Sequence, residues 1–257
     1  DIYRQKLAVS CKLSELHETY NGEYPEISNL STAEKWDTLS GFDCIPEVRL
    51  KRLERVVELI EINKTILDIG VGWGDIVPIL SRNKKTVNYT GIDFSAEIVK
   101  KLQDKYPDQK FMNTTVDTLN DDYDYVLVLE VIEHIVPSKI FDFLKDVKKV
   151  LSDKGTLIVT VPLNESLRNN TFVCGKCESF VNRMGHVRSY SFDLIKKELE
   201  IAGFLVTYSE VIYEGYYGYK GTMKRYLRNV VGKLVGPSSF KPVRPGGVIL
   251  KCKKTVG

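Results

Sequence analysis

The stretch Ile66-Leu67-Asp68-Ile69-Gly70-Val71-Gly72-Trp73-Gly74 decides the fold. A short apolar run stops at a glycine-rich turn, and Ile76, Val77, Ile79 and Leu80 follow at helical spacing. Pro78 falls in the first turn of that helix, where a missing N–H costs little. Glycines at alternate positions let the backbone bend sharply and approach a ligand, because no Cβ stands in the way. The opening turn of the helix offers unpaired N–H groups to a polar or anionic group. A second apolar strand, Val87 to Ile92, ends in Asp93, 21 positions beyond Gly72. An acid there can accept hydrogen bonds from both hydroxyls of a ribose. Strand, glycine turn, helix, strand and acid describe a site for an adenosine-type cofactor.

The dinucleotide fingerprint requires a third glycine three positions after the second. Asp75 stands there, a negative charge where a pyrophosphate would sit, which argues against NAD and FAD. The pattern Asp68-x-Gly70-x-Gly72-x-Gly74 with Asp93 instead resembles the first motif and partner acid of the class I S-adenosylmethionine (SAM) methyltransferases. The resemblance implies that Asp68, Gly70, Gly72, Trp73 and Gly74 face the methionine part of SAM and that Asp93 holds its ribose. It places adenine near Thr115 and Val116, after the third strand, with Phe94 covering the ring. A core role for Phe94 remains an alternative.

Outward from this motif, strands alternate with helices. Strands are predicted near 64–69, 87–93, 109–114, 123–129 and 156–161, with helices at 75–83, 95–105 and 138–151. Such alternation implies a parallel sheet with right-handed crossovers and helices on both faces. After Pro162 a long polar loop, 163–190, carries Cys174, Cys177 and His186. Ser191 then looks like an N-cap for a helix bearing Leu194, Ile195 and Leu199, which Gly203 ends. Strands at 204–210 and 248–252 follow. The expected fold is α/β: a Rossmann-like, seven-stranded, mostly parallel sheet flanked by helices. Residues 1–48 read as an N-terminal helical cap and 49–257 as a single SAM-dependent methyltransferase domain.

The fourth strand ends in Glu130-Val131-Ile132-Glu133-His134, putting two carboxylates and an imidazole beside the cofactor. Carboxylate oxygens with imidazole nitrogens suit a divalent ion such as Mg²⁺, Mn²⁺ or Fe²⁺. His186, in the loop leaving the same sheet edge, completes a four-group set. Glu-x-x-Glu-His here resembles the metal motif of the small-RNA 2′-O-methyltransferases and of the ubiquinone-pathway O-methyltransferases. The resemblance implies Glu130, Glu133, His134 and His186 as metal ligands, with His134 or His186 taking a proton. A Glu-His pair also occurs at this point in SAM methyltransferases that bind no metal, which leaves His186 as a simple base.

The chain has 257 residues, 43% hydrophobic and 28% charged, an ordinary globular balance. Its net charge of +3 gives no nucleic-acid footprint. No apolar run approaches the roughly 18 residues of a membrane span. With no signal-like segment after Asp1, a cytoplasmic protein with a trimmed start is expected. Five scattered cysteines suit reduced thiols, and Cys174-x-x-Cys177 lacks the further pair that a structural zinc requires. Tyrosines and glycines interleave from Tyr213 to Lys220, with Lys224, Arg225, Arg228 and Lys233 beyond. Such rings stack on sugars and such cations hold phosphates.

The sequence therefore points to metal-assisted O-methylation of a sugar, nucleotide-sugar or glycan hydroxyl, with a small-molecule or sugar-nucleotide acceptor as partner. RNA ribose 2′-O-methylation, metal-free N- or O-methylation of a small molecule, and a SAM-binding regulatory module are the rivals. Self-association is left open.

Overall fold

The computed structural model describes residues 47–83, 87–173, 180–182, 184–213 and 245–255. The cap expected over 1–48 lies outside them apart from its last two residues. Cys174, Cys177 and the aromatic and basic segment beyond Tyr213 also lie outside.

Helix α1 (Glu47–Glu58) leads into β1 (Lys64–Ile69), α2 (Val77–Arg82), β2 (Val87–Asp93), α3 (Ala96–Lys105), β3 (Lys110–Asn113) and β4 (Tyr123–Leu129). Helix α4 (Ile140–Val150) and β5 (Leu151–Val161) come next. Then follow the short strands β6 (Thr171–Val173) and β7 (Phe180–Asn182), α5 (Phe192–Ile201), β8 (Phe204–Tyr213) and β9 (Pro245–Lys254). Seven strands form one sheet in the order β3-β2-β1-β4-β5-β9-β8. Strands β1 to β5 pair in parallel, and β9 lies antiparallel between β5 and β8. This is the expected Rossmann-like α/β architecture. The strand order reverses between β1 and β4, so their carboxyl ends open the crevice where such sheets bind ligands.

Alternate side chains divide the core between the two faces, as a period of two requires. Val126 and Val128 of β4 and Leu157 and Val159 of β5 pack on one side, with Leu144 and Val147 of α4 and Ile195 and Leu199 of α5. Tyr125, Leu127 and Ile158 pack on the other, with Val56 and Val57 of α1, Ile79 of α2 and Ile98 of α3. Burial on both faces explains why these strands read as nearly continuous apolar runs.

Several boundaries differ from the sequence reading. Strand β5 starts at Leu151 rather than 156, because the chain turns directly from α4 into the sheet and pairs Leu151 with Tyr123 before a register shift. Helix α4 starts at Ile140, after a 3₁₀ turn at Pro137–Lys139. Strands β8 and β9 extend to Tyr213 and begin at Pro245, because each satisfies the other's backbone along its length. The 163–190 stretch, read as plain loop, contains a 3₁₀ turn (Leu167–Asn170) and the β6–β7 hairpin. Ser191 caps α5 as expected, its hydroxyl accepting from Leu194 N at 3.2 Å. No helix among the described residues is long and apolar enough to cross a membrane.

Candidate active site

The glycine turn sits at the carboxyl end of β1, fastened to β2 by Gly70 N and Val71 N donating to Ile92 O at 2.9 and 3.0 Å. Its three glycines do different work. A Cβ at Gly70 would stand 2.7 Å from Val131 Cγ2, and one at Gly74 would stand 2.7 Å from Leu102 Cδ2. These two are packing positions. At Gly72, with φ +51°, a Cβ would meet nothing nearer than Gly70 O at 3.9 Å. It would project into open space, which is the cradle that a cofactor placed on this turn needs.

Asp93 is buried, and its carboxylate spans the turn. It accepts from Gly72 N at 3.1 Å and from Ser95 N at 3.0 Å. Ser95 in turn caps α3 by accepting from Ile98 N at 3.2 Å. Acid, glycine turn and helix start thus form one hydrogen-bonded unit. Phe94, half-buried, follows Asp93 directly, and Trp73 is likewise half-buried in the turn. Thr114 N donates to Asp93 O at 3.1 Å, bringing the end of β3 alongside. Thr115 is exposed there, and Val116 is buried as it opens a 3₁₀ turn.

Two partners of this turn escape a sequence reading. Tyr89 donates its hydroxyl to Asp68 Oδ2 at 2.7 Å inside the core. Burial pushes the Asp68 carboxyl up to about 7, against the opposing pull of that hydrogen bond. Arg49 of α1 pairs with Asp75 at 2.9 Å, neutralising the charge that follows the glycines. Both contacts join residues far apart in sequence, which no local pattern announces.

At the end of β4 the chain breaks sharply. Glu130 adopts φ +59° and is held by its side chain, not by a helix. Glu130 Oε2 accepts from Arg52 Nη2 at 2.6 Å and Oε1 accepts from Thr160 Oγ1 at 2.8 Å. A 3₁₀ turn, Ile132–His134, follows, and it carries Glu133 inward to 1% exposure.

The long loop returns onto this turn. Val187 N donates to Glu133 O at 3.0 Å, and Asn164 N to Tyr190 O at 2.8 Å, with Leu163 bridging Tyr190 in parallel. His186 thereby lands beside His134, their rings edge to face with centroids 4.8 Å apart. His186 Nε2 is 4.0 Å from Glu133 Oε1. Ligand-capable atoms of Glu133, His134 and His186 all lie within 4.8 Å of one another. The structure brings these three together and leaves Glu130 apart, on Arg52 and Thr160. Glu165, unnoticed in the sequence, stands instead against His186 Nδ1.

Neither carboxylate oxygen of Glu133 has a hydrogen-bond partner. Burial, and next the charge of Glu130, lift its carboxyl well above the usual carboxylate range. Burial, and next the neighbouring His186, push the His134 imidazole down to about 4. His134 is therefore neutral at pH 7. Its Nδ1 lies 3.1 Å from Gly185 O, which can only accept, so Nδ1 carries the proton and Nε2 the lone pair.

Residues 45–209 match the profile of a methyltransferase-domain family. Among curated proteins, none matches the sequence. Solved structures share the fold at low identity. The 1,6-didemethyltoxoflavin-N1-methyltransferase of Burkholderia thailandensis, with bound S-adenosylhomocysteine, aligns at TM-score 0.55 and 15% identity over 82% of this chain and 80% of that one. A SAM-dependent methyltransferase from Archaeoglobus fulgidus aligns at 0.57 and 18%, covering 81% and 94%. The magnesium protoporphyrin IX methyltransferase of Synechocystis, with bound SAM, aligns at 0.55 and 14%, covering 95% and 97%. The profile spans more than half of the chain and takes in both the Gly72 cradle and Asp93, so the chain belongs to this methyltransferase family, as a class I SAM-dependent enzyme.

Proposed function

We propose that the enzyme methylates a hydroxyl oxygen, assisted by a divalent ion held at Glu133, His134 and His186, and that its acceptor is carbohydrate-like. The observation that carries this reading is the Glu133 carboxylate, 1% exposed and without a hydrogen-bond partner on either oxygen. A carboxyl so placed either keeps its proton or is completed by a cation, and the two imidazoles beside it supply the other ligands that a cation needs. Two imidazoles flank it. His134 has its Nδ1 against a backbone carbonyl and His186 has its Nδ1 against a carboxylate. Histidines that ligate metals hold their second nitrogen in this way. A set of one carboxylate and two imidazoles suits Mn²⁺, Fe²⁺ or Zn²⁺ better than Mg²⁺.

When bound, such an ion lowers the pKa of a coordinated hydroxyl and fixes its direction. The remaining work belongs to the chain. The Gly72 cradle and Asp93 seat SAM, and the acceptor oxygen is aligned with the methyl carbon. Oxygen attacks that carbon and the carbon–sulfur bond breaks. Its electron pair returns to sulfur, and the hydroxyl proton leaves to water, since the Nε2 lone pairs of both histidines would be occupied by the ion. Alignment of this kind supplies a large share of the rate. A carbohydrate-like acceptor fits the tyrosines and cations between Tyr213 and Lys233, whose rings and charges suit a sugar bearing phosphate.

A second reading is favoured by the Glu165–His186 contact alone. A carboxylate behind an imidazole also orients a general base, and His186 then takes the proton without any ion. Elemental analysis and Mn²⁺ titration by calorimetry test the choice. One bound ion per chain, absent in Glu133→Gln while SAM still binds, supports the metal-assisted reaction. No ion in the wild type, with methyl transfer intact and lost in His186→Ala, replaces it with the general-base reading. Nucleotide-sugars, free sugars and short RNAs as acceptors then separate the substrate classes.

A further inference from the structure

We infer that Glu165 is a positioning residue: its carboxylate fixes the His186 ring so that Nδ1 bears the proton and Nε2 presents its lone pair to Glu133. This takes from the preceding reading only that His186 Nε2 faces the reacting centre, and it holds whether an ion or a proton is what Nε2 receives.

The backbone around His186 is already fastened. Asn182 Oδ1 accepts from Met184 N at 2.9 Å and from His186 N at 3.3 Å, and Gly185 N donates to Asn182 O at 3.1 Å. On the far side, Val187 N donates to Glu133 O at 3.0 Å. What these bonds leave undetermined is rotation of the imidazole about its own axis. A half-turn exchanges the nitrogen and carbon edges of the ring, and a neutral imidazole in addition has two tautomers. Without a further contact, several arrangements compete at the position facing Glu133.

Glu165 removes that freedom. Its Oε2 lies against His186 Nδ1, and an ionised carboxylate oxygen can only accept, so Nδ1 must donate. Nε2 is then the nitrogen 4.0 Å from Glu133 Oε1. Both members are shielded, with 8% of the His186 side chain and 14% of the Glu165 side chain exposed, so water competes weakly for either.

The fold delivers Glu165 to this place by a long-range device. Strand β5 ends at Val161, and two residues later Leu163 bridges Tyr190 while Asn164 N bonds to Tyr190 O at 2.8 Å. Asn164 takes φ +52°, a left-handed conformation that asparagine tolerates better than most residues, and the chain turns there. Residue 165 is thereby set opposite residue 186, although 21 positions separate them. Partners that orient a ligating or basic histidine typically contribute 10- to 100-fold to affinity or activity.

The chain holds only three histidines, His17, His134 and His186, so long-range ¹H–¹⁵N correlation spectra of the labelled 257-residue chain can resolve each ring. Loss of one ring's signals in His186→Gln identifies His186. The wild type should show His186 protonated at Nδ1. Glu165→Ala should lose that pattern, giving the Nε2-protonated tautomer or a mixture. Glu165→Gln, whose amide oxygen still accepts, should keep it. In parallel, Mn²⁺ titration should weaken about 10- to 100-fold in Glu165→Ala and much less in Glu165→Gln.

A wild-type ring protonated at Nε2, or a pattern unchanged in Glu165→Ala, overturns the inference. The two readings fail separately. A wild type that binds no Mn²⁺ yet loses its tautomer in Glu165→Ala ends the metal proposal and keeps this one. Tight Mn²⁺ binding with a tautomer indifferent to residue 165 does the reverse.

Discussion

Arg52 of α1 places Nη2 2.6 Å from Glu130 Oε2, joining that helix to the chain break after β4. Only 7% of the arginine side chain and 19% of the glutamate side chain are exposed. Breaking such a pair from one side strands a charge, whereas removing both halves need not. Arg52→Met should therefore lower unfolding free energy by about 3 kcal/mol in urea titrations, with Arg52→Met/Glu130→Gln recovering much of the loss. Strictly additive effects in the cycle would show that the two side chains do not depend on each other.

The same contact separates two glutamates that the sequence treats alike. Glu130 is occupied by Arg52 and Thr160, while the carboxylate oxygens of Glu133 accept no hydrogen bond. Glu130→Gln should keep divalent-ion affinity within about threefold of wild type, whereas Glu133→Gln should lose at least about 100-fold. Equal losses in calorimetry would return Glu130 to the ligand set.

Gly72 and Gly70 should respond differently to one methyl group. Alanine at 72 projects into the open cradle, and alanine at 70 collides with Val131. Both carry the backbone penalty of about 1–2 kcal/mol for a positive φ. Beyond that shared penalty, Gly72→Ala should weaken SAM binding about tenfold or more with little further loss of stability. Gly70→Ala should instead lower the melting temperature by an additional margin from overpacking. Calorimetric SAM titration and thermal melts on both variants make the comparison.

Asp68 predicts a pH dependence in the cofactor-free protein. Its carboxyl is raised from an ordinary 3.8 to about 7. Between these values the folded state holds a proton that the unfolded state has released, so stability falls as pH rises. The contribution is complete below about pH 4 and lost above about pH 7, at most about 4 kcal/mol in all. Asp68→Asn keeps an acceptor for the Tyr89 hydroxyl and cannot ionise. It should flatten this slope and stabilise the protein at pH 8, as measured by urea unfolding across the pH range.

The parallel core was legible because its strands are short, apolar and punctuated by Gly70 and Asp93, so that β1, β2 and β4 stand where the sequence placed them. Ser191 was legible for the same reason, since a cap acts within three residues. Pairings across the sheet were not. The early start of β5 depends on Leu151 meeting Tyr123, and the late end of β8 on Tyr213 meeting Pro245. In the site, spacing put Glu133 and His134 together and suggested His186. Spacing could not reveal that Arg52 would claim Glu130, or that Glu165 would stand behind His186, because those contacts exist only once α1 and the post-β5 loop have docked.

The bridge between Leu163 and Tyr190 also bears on how this enzyme can change over generations. It ties the excursion at its neck, and the closure entropy of the chain beyond a tied neck grows only with the logarithm of its length, about 0.6 kcal/mol per doubling. Glu165 and His186 sit just inside that tie. The excursion can therefore vary in length at small entropic cost while the tie keeps residues 165 and 186 opposed.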